Sequence, residues 1–170
     1  MSQTATGRIF IIMGVSSTGK SSVGSALAKK MNVKFIDGDD LHPKANILKM
    51  AAGEPLNDND RTPWLERIRD AAFSIEKKNE VAVIVCSALK QKYRQQICDG
   101  NVGITFLHLY GEFALVKKRM RDRRGHFMPV ELLKSQFDTL EMPDENNVIT
   151  IDIDQPFADV VESCFKATAL

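Results

Sequence analysis

Neither sign of charge prevails in this sequence of 170 residues: 23 Lys and Arg stand against 22 Asp and Glu, a net charge of +1. A dedicated nucleic-acid or membrane-surface binder carries a visible basic excess, so the balance argues against both classes while leaving room for local charge. Cysteine is scarce too. Cys86, Cys98 and Cys164 are odd in number and widely spaced, which excludes a disulfide framework and fits a reducing cytoplasm. His42, His108 and His126 enter no C-x-x-C or H-x-x-x-H arrangement, so no zinc site is expected. No apolar run nears the ~18 residues of a membrane span, and Ile9–Met13 is too short for the core of a signal peptide. No Gly/Ser linker, low-complexity tract or repeat divides the chain. What remains is a cytoplasmic protein of one domain over residues 1–170, long enough to bury a core unaided.

Short apolar runs alternate with longer amphipathic stretches. Ile9–Met13, Val33–Ile36, Val81–Cys86, Ile104–Tyr110 and Val148–Ile153 are mostly continuous rather than alternating, as parallel strands covered on both faces require. Helices are expected at Lys20–Met31, Pro43–Ala52, Pro63–Lys78, Leu89–Cys98, Glu112–Arg123, Val130–Glu141 and Pro156–Ala167. Thr62 and Pro63 read as the N-cap and first residue of the third. Leu133, Phe137 and Leu140 fall on one face of the sixth. The fold class is therefore α/β, a five-stranded parallel sheet flanked by helices, with ligands expected at the carboxyl ends of the strands.

Directly after the first strand comes Gly14-Val15-Ser16-Ser17-Thr18-Gly19-Lys20-Ser21, a full G-x-x-x-x-G-K-[ST] match. In this loop successive N–H groups curl around phosphates, and glycine permits close approach. Lys20 is assigned to the β/γ-phosphates and Ser21 to Mg²⁺, while the next helix aims its positive end at the anion. Gly14, Ser16, Ser17, Thr18, Gly19, Lys20, Ser21 and Ser22 thus form the expected nucleotide-binding set. The competing reading is a glycine turn that merely caps a helix.

No N-K-x-D guanine motif is present, and no Asp ends the third strand, which runs into Cys86-Ser87-Ala88. The candidate acidic groups are Asp37 and Asp39 at the end of the second strand, for metal-bound water and for acceptor-hydroxyl orientation respectively. An acidic turn is the plainer alternative. Asp152 and Asp154 form a competing carboxylate pair; Asp154, Gln155 and Pro156 read equally as a loop against the nucleotide base or as a solvated strand end. Between the last two strands lies the basic run Lys117–Arg124. Lys117, Lys118 and Arg121 read as a solvated face, whereas Arg119 and Arg123 are four apart and share a side. They, with Gly125 and His126, suit a short mobile lid of about residues 119–141. Phosphoryl transfer depends on positioning and on neutralising charge, which planar guanidinium groups do well.

Together these residues closely resemble the gluconate kinase family of small P-loop kinases. GVSSTGKS at 14–21, DGDDLHP at 37–43, NILKMAAGEPLNDNDRTPWL at 46–65 and CSALKQKYR at 86–94 match. So do GHFMPVELLKSQFDTLE at 125–141 and DIDQP at 152–156. The resemblance implies a P-loop kinase fold, a homodimer, and ATP- and Mg²⁺-dependent phosphorylation of D-gluconate on its 6-hydroxyl. By resemblance to related lids, Arg119 would lie near adenine and Arg123 on the phosphates, with Lys20, Asp39 and Arg123 catalytic. The family often has Gly and Ser where Ser17 and Thr18 stand.

An acceptor with one carboxylate and several hydroxyls needs cations and hydrogen-bonding groups near Asp39. The candidates are His42, Lys49, Arg61, Ser87, Lys90, Arg94 and His126. Each has a structural alternative as surface charge, cap or loop packing. His108, inside a strand, reads as a core histidine, Cys86 as inert packing, and Trp64 as a pocket wall or a helix anchor. Shikimate as acceptor, and a non-catalytic ATP switch, remain open at this point.

Overall fold

The apolar runs at 8–13, 81–85 and 104–110 are strands buried on both faces, whereas those at 34–37 and 148–152 lie at the sheet edges and keep more exposure. The computed structural model describes residues 7–123 and 129–169. Strands β1 (Arg8–Met13), β2 (Lys34–Asp37), β3 (Val81–Val85), β4 (Ile104–Tyr110) and β5 (Val148–Asp152) form one sheet, ordered β2-β3-β1-β4-β5, with every pair parallel. Among the described residues seven helices join and cover them: α1 (Lys20–Met31), α2 (Lys44–Ala51), α3 (Asp58–Lys77), α4 (Gln91–Cys98), α5 (Phe113–Asp122), α6 (Val130–Thr139) and α7 (Phe157–Ala167). A short 3-10 turn, Gly38–Leu41, follows β2.

Strand side chains alternate between two cores. Phe10, Ile12, Val83, Val85, Leu107 and Leu109 meet Val23 and Leu27 of α1, Val116 of α5, Leu133 of α6 and Cys164 of α7. Ile9, Ile11, Met13, Ala82, Ile84 and Phe106 meet Leu65, Ile68 and Ala72 of α3 and Ile97 of α4. Phe137 and Leu140 pack at the rim of the first core, as the helical spacing predicts. His108 is wholly buried, and neither ring nitrogen has a partner among the described residues. Burial pushes its pKa down to about 4, so it stays neutral and acts as a core residue.

One helix start differs from expectation. α3 begins at Asp58, ahead of the Thr62-Pro63 signal, because Asn57 and Asp60 form a reciprocal capping box. The Asn57 side chain accepts the Asp60 N–H at 2.8 Å, and the Asp60 carboxylate accepts the Asn57 N–H at 2.9 Å. Pro63 therefore sits inside the helix, and the Thr62 hydroxyl donates back to the Asp58 carbonyl at 3.0 Å.

Register places the site. Asp37 pairs with Val85, and Val85 with Ile12, so β2, β3 and β1 end level. Two glycines let the chain turn there. Gly14 has φ +141°, and a Cβ would lie 2.6 Å from the Leu109 carbonyl oxygen; at Gly38 it would lie 2.2 Å from that of Val85.

Candidate active site

The phosphate loop, the 3-10 turn after β2, the start of α3 and the end of α5 surround one cleft of about 600 Å³. Ser16, Ser17, Gly19, Lys20, Ser21 and Ser22 line it from the loop, and Asp39, His42, Arg61, Ser87 and Arg123 line it from elsewhere. A smaller recess of about 340 Å³ lies on the other side of the loop, between Thr18, Arg119, Gln155 and Pro156. Arg119 donates to the Gln155 carbonyl there at 3.4 Å. Arg123 ends α5 with extended backbone, φ −82° and ψ 116°. The two arginines consequently border different compartments.

The loop is tied from within. Thr18 Oγ1 and Lys20 Nζ both donate to the Val15 carbonyl at 2.8 Å, and the Gly14 N–H donates to the Ser87 carbonyl at 3.2 Å. Ser17 has φ +66°, a left-handed conformation that costs a non-glycine residue about 1–2 kcal/mol. That cost gives a physical reason for glycine at this position in the resembling family. Asp37 does not line the cleft; its carboxylate accepts the Asp39 N–H at 3.0 Å and so caps the 3-10 turn that carries Asp39.

The charges in the cleft perturb one another. Burial lowers the Lys20 pKa to about 8, against the opposing pull of Asp39. Burial, and then the like charge of Asp37, raise Asp39 above the usual carboxylate range. His42 is lowered, chiefly by burial. Cys86 is pushed up to about 12 by burial, so its thiol is no nucleophile at neutral pH.

Three candidate substrate residues have other occupations. Lys49 pairs with Asp60 at 2.6 Å, joining α2 to the start of α3. Lys90 lies 3.5 Å from Asp58 and over the Tyr93 ring. Arg94 is the clearest correction. It is 2% exposed, and its guanidinium donates to the carbonyls of Ala88, Leu89 and Glu141 and to both carboxylate oxygens of Glu145. With its donors so engaged, it clamps the segment after α6 to the loop after β3. Arg94→Met is expected to destabilise the fold by about 3 kcal/mol, the low end because Glu145 keeps some exposure, lowering the melting temperature by roughly 6–12 °C. A variant that melted like the parent but bound acceptor weakly would return Arg94 to the cleft. His126 lies outside the described residues.

Gln136 escaped the sequence reading, although it lines the cleft. Its Oε1 accepts the Ser16 N–H of the phosphate loop at 2.6 Å. The available signal was a polar residue three positions after Leu133, beside the packed face of that helix. Trp64 is both wall and anchor: it borders the cleft and donates its indole N–H to the Gly38 carbonyl at 2.7 Å. Tyr93 was also missed. Its hydroxyl bonds Asp58 and receives a long contact of 3.4 Å from Arg61, whose guanidinium also donates to the Leu56 carbonyl at 2.9 Å.

A phosphate loop, a carboxylate of raised pKa and converging cations at the carboxyl edge of a parallel sheet suit phosphoryl transfer to a small anionic acceptor. Comparison with known proteins narrows this. The shikimate kinase family model matches residues 16–166. The chain is 52% identical over 163 residues to the thermosensitive gluconokinase of Escherichia coli, covering 95% of this chain and 87% of the relative. It is 49% identical over 160 residues to the thermoresistant gluconokinase of the same organism, covering 93% and 91%. The crystal structure of a gluconokinase from Sinorhizobium meliloti superposes with a TM-score of 0.86 at 41% identity, covering 98% of this chain and 94% of that one. With identity of that order along nearly its whole length, the chain belongs to the gluconokinase family of shikimate-kinase-like P-loop kinases.

Proposed function

We propose that this protein is a gluconokinase, transferring the γ-phosphoryl group of ATP to the 6-hydroxyl of D-gluconate to give 6-phosphogluconate and ADP. Beyond family membership, the observation that carries the reading is one cleft lined by the phosphate loop, the Asp39 carboxylate and the cations Lys20, Arg61 and Arg123. ATP phosphates lie along the loop N–H groups, and the adenine side occupies the recess by Arg119, Gln155 and Pro156. Gluconate lies between Asp39, His42, Arg61 and Ser87, its 6-hydroxyl directed at the γ-phosphorus for direct in-line attack. Asp39 orients that hydroxyl and accepts its proton, while Lys20 and Arg123 face the charge spreading over the transferred group.

Among the described residues no cluster of three or more His, Cys, Asp or Glu is placed to hold a metal. That suits Mg²⁺, which favours one or two protein oxygens completed by water and phosphate. The Ser21 hydroxyl and, through water, the Asp37 carboxylate are the oxygens that would hold it, and Mg²⁺ bound there would neutralise phosphate charge. The chain is read as one domain over 1–170, with a lid of about 119–141, of which 124–128 lie outside the described residues, serving to exclude water. A cytoplasmic homodimer completes the reading. No described helix is long and apolar enough to cross a membrane.

The test is ADP release with Mg·ATP across gluconate, related aldonates, shikimate and AMP. Strong acceleration by gluconate is expected. Acceleration by AMP or shikimate alone would overturn the sugar-acid reading, and ATP binding with no turnover on any acceptor would leave only a nucleotide switch.

A further inference from the structure

Helix α2 is built the wrong way round for a helix held by its apolar side. Its one buried residue is Asn46, 4% exposed, whereas Ile47, Leu48 and Met50 stay 43–60% exposed. A buried amide is unfavourable unless its hydrogen bonds are made, so the position calls for a reason. Asn46 Nδ2 contacts two groups: the backbone carbonyl of Asp60 at 2.9 Å and Nδ1 of His42 at 3.2 Å.

Those two contacts bear on where His42 carries its proton. A backbone carbonyl can only accept, so the Asn46 atom facing Asp60 is the amide nitrogen rather than its oxygen. The other hydrogen of that nitrogen points at His42 Nδ1, which must then be the unprotonated ring nitrogen. A neutral imidazole lacking a proton on Nδ1 carries it on Nε2. A doubly protonated ring would set N–H against N–H, so the cation is disfavoured by the same contact. Burial acts in the same direction by lowering the His42 pKa.

The remaining freedom of the ring is removed by stacking. His42 lies on the Trp64 indole, ring centroids 4.2 Å apart and planes 15° from parallel. Trp64 is fixed in turn by its bond to the Gly38 carbonyl. Asp60, the acceptor that orients Asn46, is held by the capping box with Asn57 and by Lys49. His42 itself lines the cleft beside Asp39, and its Nε2 has no hydrogen-bond partner among the described residues.

We propose that Asn46 is a positioning residue that locks His42 as the neutral Nε2–H tautomer, so that His42 offers the acceptor substrate a hydrogen-bond donor and is neither a cation nor a base. This rests on the gluconokinase reading for the identity of the acceptor, whose oxygens are what a fixed N–H would select. A donor at this place favours a carboxylate or hydroxyl oxygen and disfavours an ammonium or another N–H in the same position.

Two measurements test it. Long-range ¹H–¹⁵N correlation on histidine-labelled protein at neutral pH, assigned with His42→Gln, should show Nδ1 unprotonated and Nε2 protonated. An Nδ1–H tautomer or an imidazolium would overturn the proposal without touching gluconate turnover. In kinetics, His42→Gln keeps an N–H donor near the Nε2 position and should raise gluconate KM several-fold less than His42→Glu, which presents an acceptor and should raise it by roughly tenfold or more. Asn46→Leu should raise gluconate KM more than it lowers kcat, leave ATP KM unchanged and release the tautomer preference in the spectrum. Equal effects of the Gln and Glu variants would overturn the donor role. Absence of gluconate turnover in the parent enzyme, with the expected tautomer, would sink only the substrate assignment.

Discussion

Lys20→Ala is expected to lower turnover by roughly 10²–10³-fold, the scale for removing one preorganised group that faces transition-state charge, while the unliganded protein should melt no lower than the parent at pH 7. The two outcomes have one cause. Lys20 sits in the loop with its pKa reduced to about 8 by burial, so holding its proton at neutral pH disfavours the folded state. The unfolded chain binds that proton up to about 10.5. Between about 8 and 10.5 the unfolded state therefore carries more protons, and parent stability gains from this group as pH rises. Removing the side chain deletes that gain, so the variant's advantage in melting temperature narrows from pH 7 towards pH 10. The Val15 carbonyl loses its bond from Lys20 but keeps the one from Thr18, so the loop is not left open. Coupled ADP release and thermal melts across pH check both halves. Turnover near that of the parent would sink the role of Lys20; a melting loss matching the activity loss would make the residue structural.

The division between what the sequence foretold and what it concealed follows the range of the interactions. Strand and helix periods are local, and β1, β3 and β4 fall where continuous apolar runs place them because helices cover both faces. The phosphate loop was legible because its spacing is itself the structure: a strand, a turn of N–H groups and a helix start are consecutive. The α3 start was misplaced because two signals competed, and the reciprocal Asn57–Asp60 bonds set the boundary ahead of Thr62-Pro63. Long-range partners were not legible. Arg94 reads as a cation available to a sugar acid, and only the fold brings Glu145, 51 residues away in sequence, to its guanidinium. Gln136 reaches Ser16 across 120 residues, a contact no local pattern announces. His42 was legible as a candidate but its protonation was not, since that depends on an amide whose orientation is set by α3.

Asp39→Asn is expected to lose phosphoryl transfer by roughly 10²–10⁴-fold, the range for a general base, while ATP still binds, because the loop that holds the phosphates is untouched. On the proposed mechanism the carboxylate is the working form. Burial first, and the neighbouring Asp37 second, raise its pKa, so protonation removes the acceptor for the substrate proton at a pH above that of an ordinary aspartate. The acid limb of kcat/KM should accordingly lie above the ordinary carboxylate pKa. Asp37→Asn should move that limb to lower pH by deleting the larger of the two like-charge causes, Asp37 and Asp40, whatever it does to turnover. Folding stability runs the other way. A raised pKa means the folded state holds this proton more tightly than the unfolded chain, so the contribution of Asp39 is favourable below the unfolded pKa of 3.8 and is lost as pH rises through the folded value. At neutral pH Asp39→Asn should therefore melt above the parent when unliganded. Higher stability together with abolished transfer and retained nucleotide titration would mark Asp39 as a charge kept for chemistry at the expense of the fold. Near-normal turnover would remove it from the reaction, and an acid limb unmoved by Asp37→Asn would assign that limb to another group.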